Sequence, residues 1–100
     1  MMKNISKTKM LRVRLFKEDL DNYDKIVRAI KAGFPIYYRL GYRYQGAMLN
    51  ELSIKQALSI LPQYKPKKGL KELILEEGYG GKKYLVLNEF TETDLSDEIY

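Results

Sequence analysis

The chain has 100 residues, 45% apolar and 31% charged, proportions that suit one small globular domain of modest stability. It contains no cysteine and no histidine, which excludes disulfides, thiolate nucleophiles, Ser–His pairs and most zinc sites. Lys and Arg number 18 against 13 acids, a net charge of +5, yet residues 89–100 hold Glu89, Glu92, Asp94, Asp97 and Glu98 without one cation, so residues 1–88 carry 18 basic and 8 acidic groups, a net of +10. A body so basic favours a polyanionic partner, nucleic acid above all, through phosphate neutralisation and counterion release. No apolar run is long enough for a membrane span, and the lysine-dotted N-terminus lacks a signal-peptide core. No membrane partner is expected, and the location is expected to be cytoplasmic or otherwise intracellular.

Residues 1–9 read as a mobile basic arm, 10–90 as a single globular domain and 91–100 as an acidic tail. From Met10 to Phe16 the sequence alternates, with Leu11, Val13 and Leu15 on one side and Arg12 and Arg14 on the other, the pattern of a half-buried strand with a basic face. Residues 18–32 place Leu20, Tyr23, Val27 and Ile30 on one stripe of a helix, widened by Ile26 and Ala29. Acids lie at its start and Arg28 and Lys31 at its end, and Gly33 followed by Pro35 stops it. Residues 34–49 are rich in Tyr, with Gly41 and Gly46 marking a turn and a bulge, and predict a short hairpin or two bent strands.

Residues 53–61 put Ile54, Ala57, Leu58 and Leu61 at helical spacing, with Asn50 or Ser53 as cap and Pro62 beyond the end. A basic connector, QYKPKKG, follows. In LKELILEEG, Leu70, Leu73 and Ile74 share a helical face with Gly78 past the end; the competing reading is a strand closing a hairpin through Gly78–Gly81. Helix fits the spacing better. YLVLNEF is an apolar run bounded by turn residues and predicts a strand, and TETDLSDEIY has a helix start capped by Thr91 or Thr93.

The segment from 50 to 88, a short helix, a basic turn, a second helix ending in Glu77-Gly78-Tyr79 and then Lys82-Lys83 with YLVL, resembles the core of winged helix-turn-helix DNA-binding domains. That resemblance implies that residues 70–77 enter the major groove, that Lys65, Lys67, Lys68 and Lys71 contact DNA from the turn and helix start, and that Lys82 and Lys83 belong to the wing. KMLRVRLFKEDLDNY resembles the opening of ribbon-helix-helix repressors, which implies groove-facing Arg12 and Arg14; a strand with a solvated basic face accounts for the same residues. Both patterns imply a homodimer. Tyr37, Arg39, Tyr42, Arg43 and Tyr44 interleave rings with guanidinium groups, which suits a protein interface, base stacking or amphipathic packing.

Two enzymatic patterns fail on inspection. GYGGKK lacks the first glycine and the hydroxyl of a phosphate-binding loop, with Glu76 and Lys83 in those places. The carboxylates Asp19, Asp21 and Asp24, and Glu72, Glu76 and Glu77, read as solvated helix faces. The expectation is therefore an α+β domain, winged-helix-like, or else a small antiparallel sheet with helices packed on one face. Its expected function is that of a small double-stranded-DNA-binding regulator, DNA ahead of RNA, with no catalytic role and no cofactor. The rival is a protein-interaction module, an inhibitor or adaptor, built on the Tyr/Arg surface.

Overall fold

A computed structural model describes residues 13–42, 46–67 and 69–94. A 3-10 turn over Lys17–Asp21 leads into helix α1, Tyr23–Lys31. Strands β1 (Ile36–Leu40) and β2 (Asn50–Glu51) follow, then helix α2 (Ile54–Ile60), and last the hairpin of β3 (Lys71–Glu77) and β4 (Lys83–Glu89). The result is an α+β arrangement with one four-stranded mixed sheet in the order β2-β1-β4-β3. The two central strands, β1 and β4, run parallel from Ile36 beside Leu85 to Leu40 beside Glu89, and both outer strands are antiparallel to their neighbours. No helix among the described residues is long and apolar enough to cross a membrane.

The entry to α1 is more broken than a continuous stripe over 18–32 predicts. Asp19 folds back to accept the Phe16 N–H at 2.8 Å, capping the start of the 3-10 turn, and Asn22, which ends that turn, caps the α-helix by accepting from the Lys25 N–H at 3.1 Å. The Phe16 N–H, then the Lys25 ammonium at 3.0 Å, hold the Asp19 carboxyl below its usual range. Two interrupted segments shift the buried stripe: Leu20, Ile26, Ala29 and Ile30 face the core, while Tyr23 is exposed. Gly33 stops the helix as predicted, at a φ of 98° that favours glycine. Ser53 caps α2 through a reciprocal pair with Gln56, at 3.1 and 3.0 Å, and Leu61 continues its buried side into a 3-10 turn that contains Pro62. Asn50, the other candidate cap, lies in β2.

Both helices pack on one face of the sheet, where Ile26, Ile30, Ala57 and Leu61 meet Ile36, Leu73, Leu85 and Leu87. Two local expectations change here. Residues 71–77 form strand β3, because seven register pairs with β4 outweigh a helical spacing that Leu70, Leu73 and Ile74 only mimic. Leu73 and Leu75 turn to the helices and Ile74 to the other face, so apolar residues serve both sides of a strand. The hairpin alternative was the right one, and its turn runs through Gly80 and Gly81, both at positive φ. Upstream, residues 13–16 keep the predicted alternation, with Leu15 buried and Arg14 exposed, but join no strand ladder. The remainder of that predicted strand, the basic arm, and residues 95–100 of the tail lie outside the described residues; Thr91 and Asp94 do make the reciprocal hydrogen bonds of a helix start.

Tyr64, buried at the end of the second 3-10 turn, has its hydroxyl pushed up to about 12, first by burial and then by the charges of Glu89 and Tyr38. A folded-state value above the ordinary 10.0 means that the unfolded chain ionises first, so the stabilisation is whole below pH 10.0 and declines as pH rises towards about 12. Urea midpoints measured across that window should fall for the wild type and fall less steeply for Tyr64→Phe. Equal slopes in the two proteins would remove Tyr64 as the cause.

Candidate functional site

The second face of the sheet explains what became of the Tyr/Arg stretch. Tyr37 and Arg39 leave β1 on this face beside Val86 and Asn88 of β4. Arg39 is 4% exposed: its guanidinium spans β4 diagonally to bind Glu76 of β3 through both terminal nitrogens, at 3.1 and 2.7 Å, and its Nε donates to Asn88 Oδ1. Tyr84 donates to the same Glu76 at 3.1 Å, Asn88 donates to the Gly41 carbonyl at 3.1 Å, and Tyr37 packs edge-on against Tyr84 with ring centres 5.5 Å apart. Tyr42 is buried too, against Phe90, with its hydroxyl donating to the Asp94 carbonyl.

For Arg39 and Tyr42 the packing alternative holds and the expectation of an interaction surface does not. Arg39 and Tyr42 are interior, because a bidentate carboxylate and an aromatic neighbour compensate groups that pattern alone sends to solvent. Tyr37 is half-buried, and Arg43 and Tyr44 lie outside the described residues. Glu76, expected on a solvated helix face, is the counter-ion of that network.

The predicted phosphate-binding cations divide into two groups at opposite ends of the β3–β4 hairpin, roughly 20 Å apart along strands of this length. At the open end, Lys65 and Lys67 are exposed, and the Lys65 backbone bridges to β3, its carbonyl accepting the Leu73 N–H at 2.8 Å. Lys71 is engaged there already: its ammonium donates to Gln63 at 2.6 Å and stands 5.8 Å from the centre of the Tyr64 ring. Lys68 and Arg12 lie outside the described residues.

At the turn end, Arg14, Lys82 and Lys83 line one groove of about 570 Å³ together with Leu15, Phe16, Phe34 and Pro35. Lys83 sets the geometry. Its ammonium approaches the Leu15 carbonyl at 3.4 Å and the Phe16 ring centre at 4.7 Å, drawing the 13–16 segment onto the hairpin. Among the described residues neither Arg14 nor Lys82 nor Lys83 has a salt-bridge partner, although Glu77 sits across the hairpin from Lys83. The groove thus has an apolar, aromatic floor and a cationic rim.

Sequence reasoning had the three cations but missed the aromatic part. The signal was present for Phe16, since the alternation that turns Arg14 outward turns Phe16 outward as well. Pro35 read as part of a helix stop and Phe34 as the start of the Tyr-rich stretch. No family model, curated protein or solved structure matches the chain.

The burial of Arg39 sets up a direct comparison with Arg14. Arg39→Met should destabilise the protein by about 3–5 kcal/mol, since it removes the one guanidinium that pairs with the buried Glu76 carboxylate and leaves that charge uncompensated by Arg39. Arg14→Met, at an exposed position, should change stability by no more than about 0.5 kcal/mol. Urea unfolding of both variants checks this, and similar stabilities would return Arg39 to the surface.

Proposed function

We propose that the protein is a small nucleic-acid-binding protein that contacts phosphates through Arg14 and Lys82, at a groove shaped by the contacts of Lys83 with Leu15 and Phe16. The observation that carries this reading is the convergence of Arg14 and Lys82 on one groove, without salt-bridge partners among the described residues. Cations left unneutralised over a low-dielectric floor attract a polyanion more strongly than the same charges spread over a surface. The net charge of +10 on residues 1–88 supports the same partner class.

The proposal keeps the electrostatic part of the sequence expectation and alters the mechanical part. Residues 71–77, as strand β3, supply no recognition helix for a duplex groove. The rival interaction module loses support for a different reason: Arg39 and Tyr42, two of its anchors, are interior.

Binding of a fluorescent oligonucleotide, followed by anisotropy over a salt series, tests the reading. Log affinity should fall linearly with log salt, and the double variant Arg14→Ala/Lys82→Ala should reduce the slope by about 1.4–1.8. Lys65→Ala/Lys67→Ala, at the other end of the hairpin, should leave the slope nearly unchanged. Absence of binding at low salt, or a slope indifferent to Arg14 and Lys82, would overturn the proposal.

A further inference from the structure

We infer that the groove takes single-stranded nucleic acid, with a base on its aromatic floor and the flanking phosphates on its cationic rim. The inference rests on the phosphate-binding reading above and adds the ligand's strandedness.

Three features favour a single strand. The first is the floor. Pro35 and the outer side of the half-buried Phe34 present apolar surface between cations, over the buried Leu15, and a duplex meeting this rim would bring only its charged backbone to that surface. An unpaired base has a π-face to lay there, whatever its identity. The second is Phe16, whose ring is 52% exposed beside the Lys83 ammonium, so that ring and charge are offered together.

The third is Tyr79. It stands at the tip of the β3–β4 turn with its side chain wholly exposed, making no packing contribution that would explain a large ring there. Gly80 and Gly81, at φ of 70° and 75°, turn the chain sharply after it, and Gly78 closes the turn by donating to the Lys82 carbonyl at 2.7 Å. The turn therefore holds an exposed ring three residues before Lys82, whose N–H donates to the Tyr79 carbonyl at 3.4 Å and whose side chain lines the groove, and successive bases and phosphates of a flexible strand can use both. Strand geometry alone gives a turn no reason to carry a tyrosine without neighbours.

The test uses the full chain with labelled oligo(dT), labelled oligo(U) and a labelled duplex of the same length, at one salt concentration. At least one single strand should bind more tightly than the duplex. Tyr79→Ala should weaken that single-strand binding by about five- to hundredfold and leave duplex binding unchanged, and Tyr79→Trp should restore it. Because Tyr79 packs on nothing, its loss should not move the urea midpoint, which separates lost stacking from lost folding. A strand carrying 2-aminopurine should show base quenching on binding to the wild type and less on binding to Tyr79→Ala.

Duplex binding equal to or tighter than both single strands, or a Tyr79→Ala variant that binds them as well as the wild type does, would overturn this inference while the phosphate reading stood. Loss of all binding to strands and duplex alike, in the wild type at low salt, would overturn both.

Discussion

Four consecutive residues of β4, Leu85, Val86, Leu87 and Asn88, have no exposure at all, and that constraint organises the rest of the molecule. A strand buried on both faces needs a layer on each side and a hydrogen-bonding neighbour along each edge. The helices supply one layer, through Leu85 and Leu87. On the other face Asn88 must be satisfied, and its amide is used in both directions, accepting from Arg39 and donating to the Gly41 carbonyl. Arg39 then needs an anion, which Glu76 provides from the far side of β4. The network thus ties β1, β4 and β3 together by side chains as well as by backbone ladders, and no buried polar side-chain atom among the described residues lacks a partner.

That arrangement also accounts for what could be read from the sequence. Elements whose signal is local were legible: the α2 helix from its cap and spacing, the stop at Gly33, the β4 strand from its uninterrupted apolar run. Strand β3 was not, because it lies at the sheet edge with apolar residues on both faces, and its charged Glu76 looks solvated until Arg39, 37 residues earlier, is known to reach it. Arg39 was misread for the same reason. Its partner is fixed by the parallel register of β1 on β4, and a crossover pairing leaves no local trace in the spacing of residues. The break at Asn22 was hidden as well, since a helical stripe continues across it while Asp19 and Asn22 bond their own backbone.

The candidate site was half legible. Arg14, Lys82 and Lys83 were recognisable as cations of exposed segments, but nothing in their numbering brings position 14 beside 82 and 83. The link is physical: Lys83 reaches back to the Leu15 carbonyl and the Phe16 ring, so a segment with no strand ladder is nevertheless fastened to the hairpin turn. The lysines of the connector were equally conspicuous in the sequence and meet a different fate. Lys71 is spent on Gln63 and Tyr64, in a scaffold role close to the buried end of α2.

Charge position, more than charge number, separates the two ends of the hairpin. Glu89 lies across from Lys71, and Glu92 and Asp94 follow it, so anions gather at the end where Lys65, Lys67 and Lys71 are found. The groove lies about 20 Å away along β4, more than two Debye lengths at physiological salt, where exposed acids at the other end are largely screened from it. Among the described residues, the turn end holds Arg14, Lys82 and Lys83 against Glu77, and the other end holds Lys65, Lys67 and Lys71 against Glu72, Glu89, Glu92 and Asp94. A surface of uniform lysine decoration would give no such separation, and the aromatic residues Phe16, Phe34 and Tyr79 stand at the turn end, away from Glu89, Glu92 and Asp94.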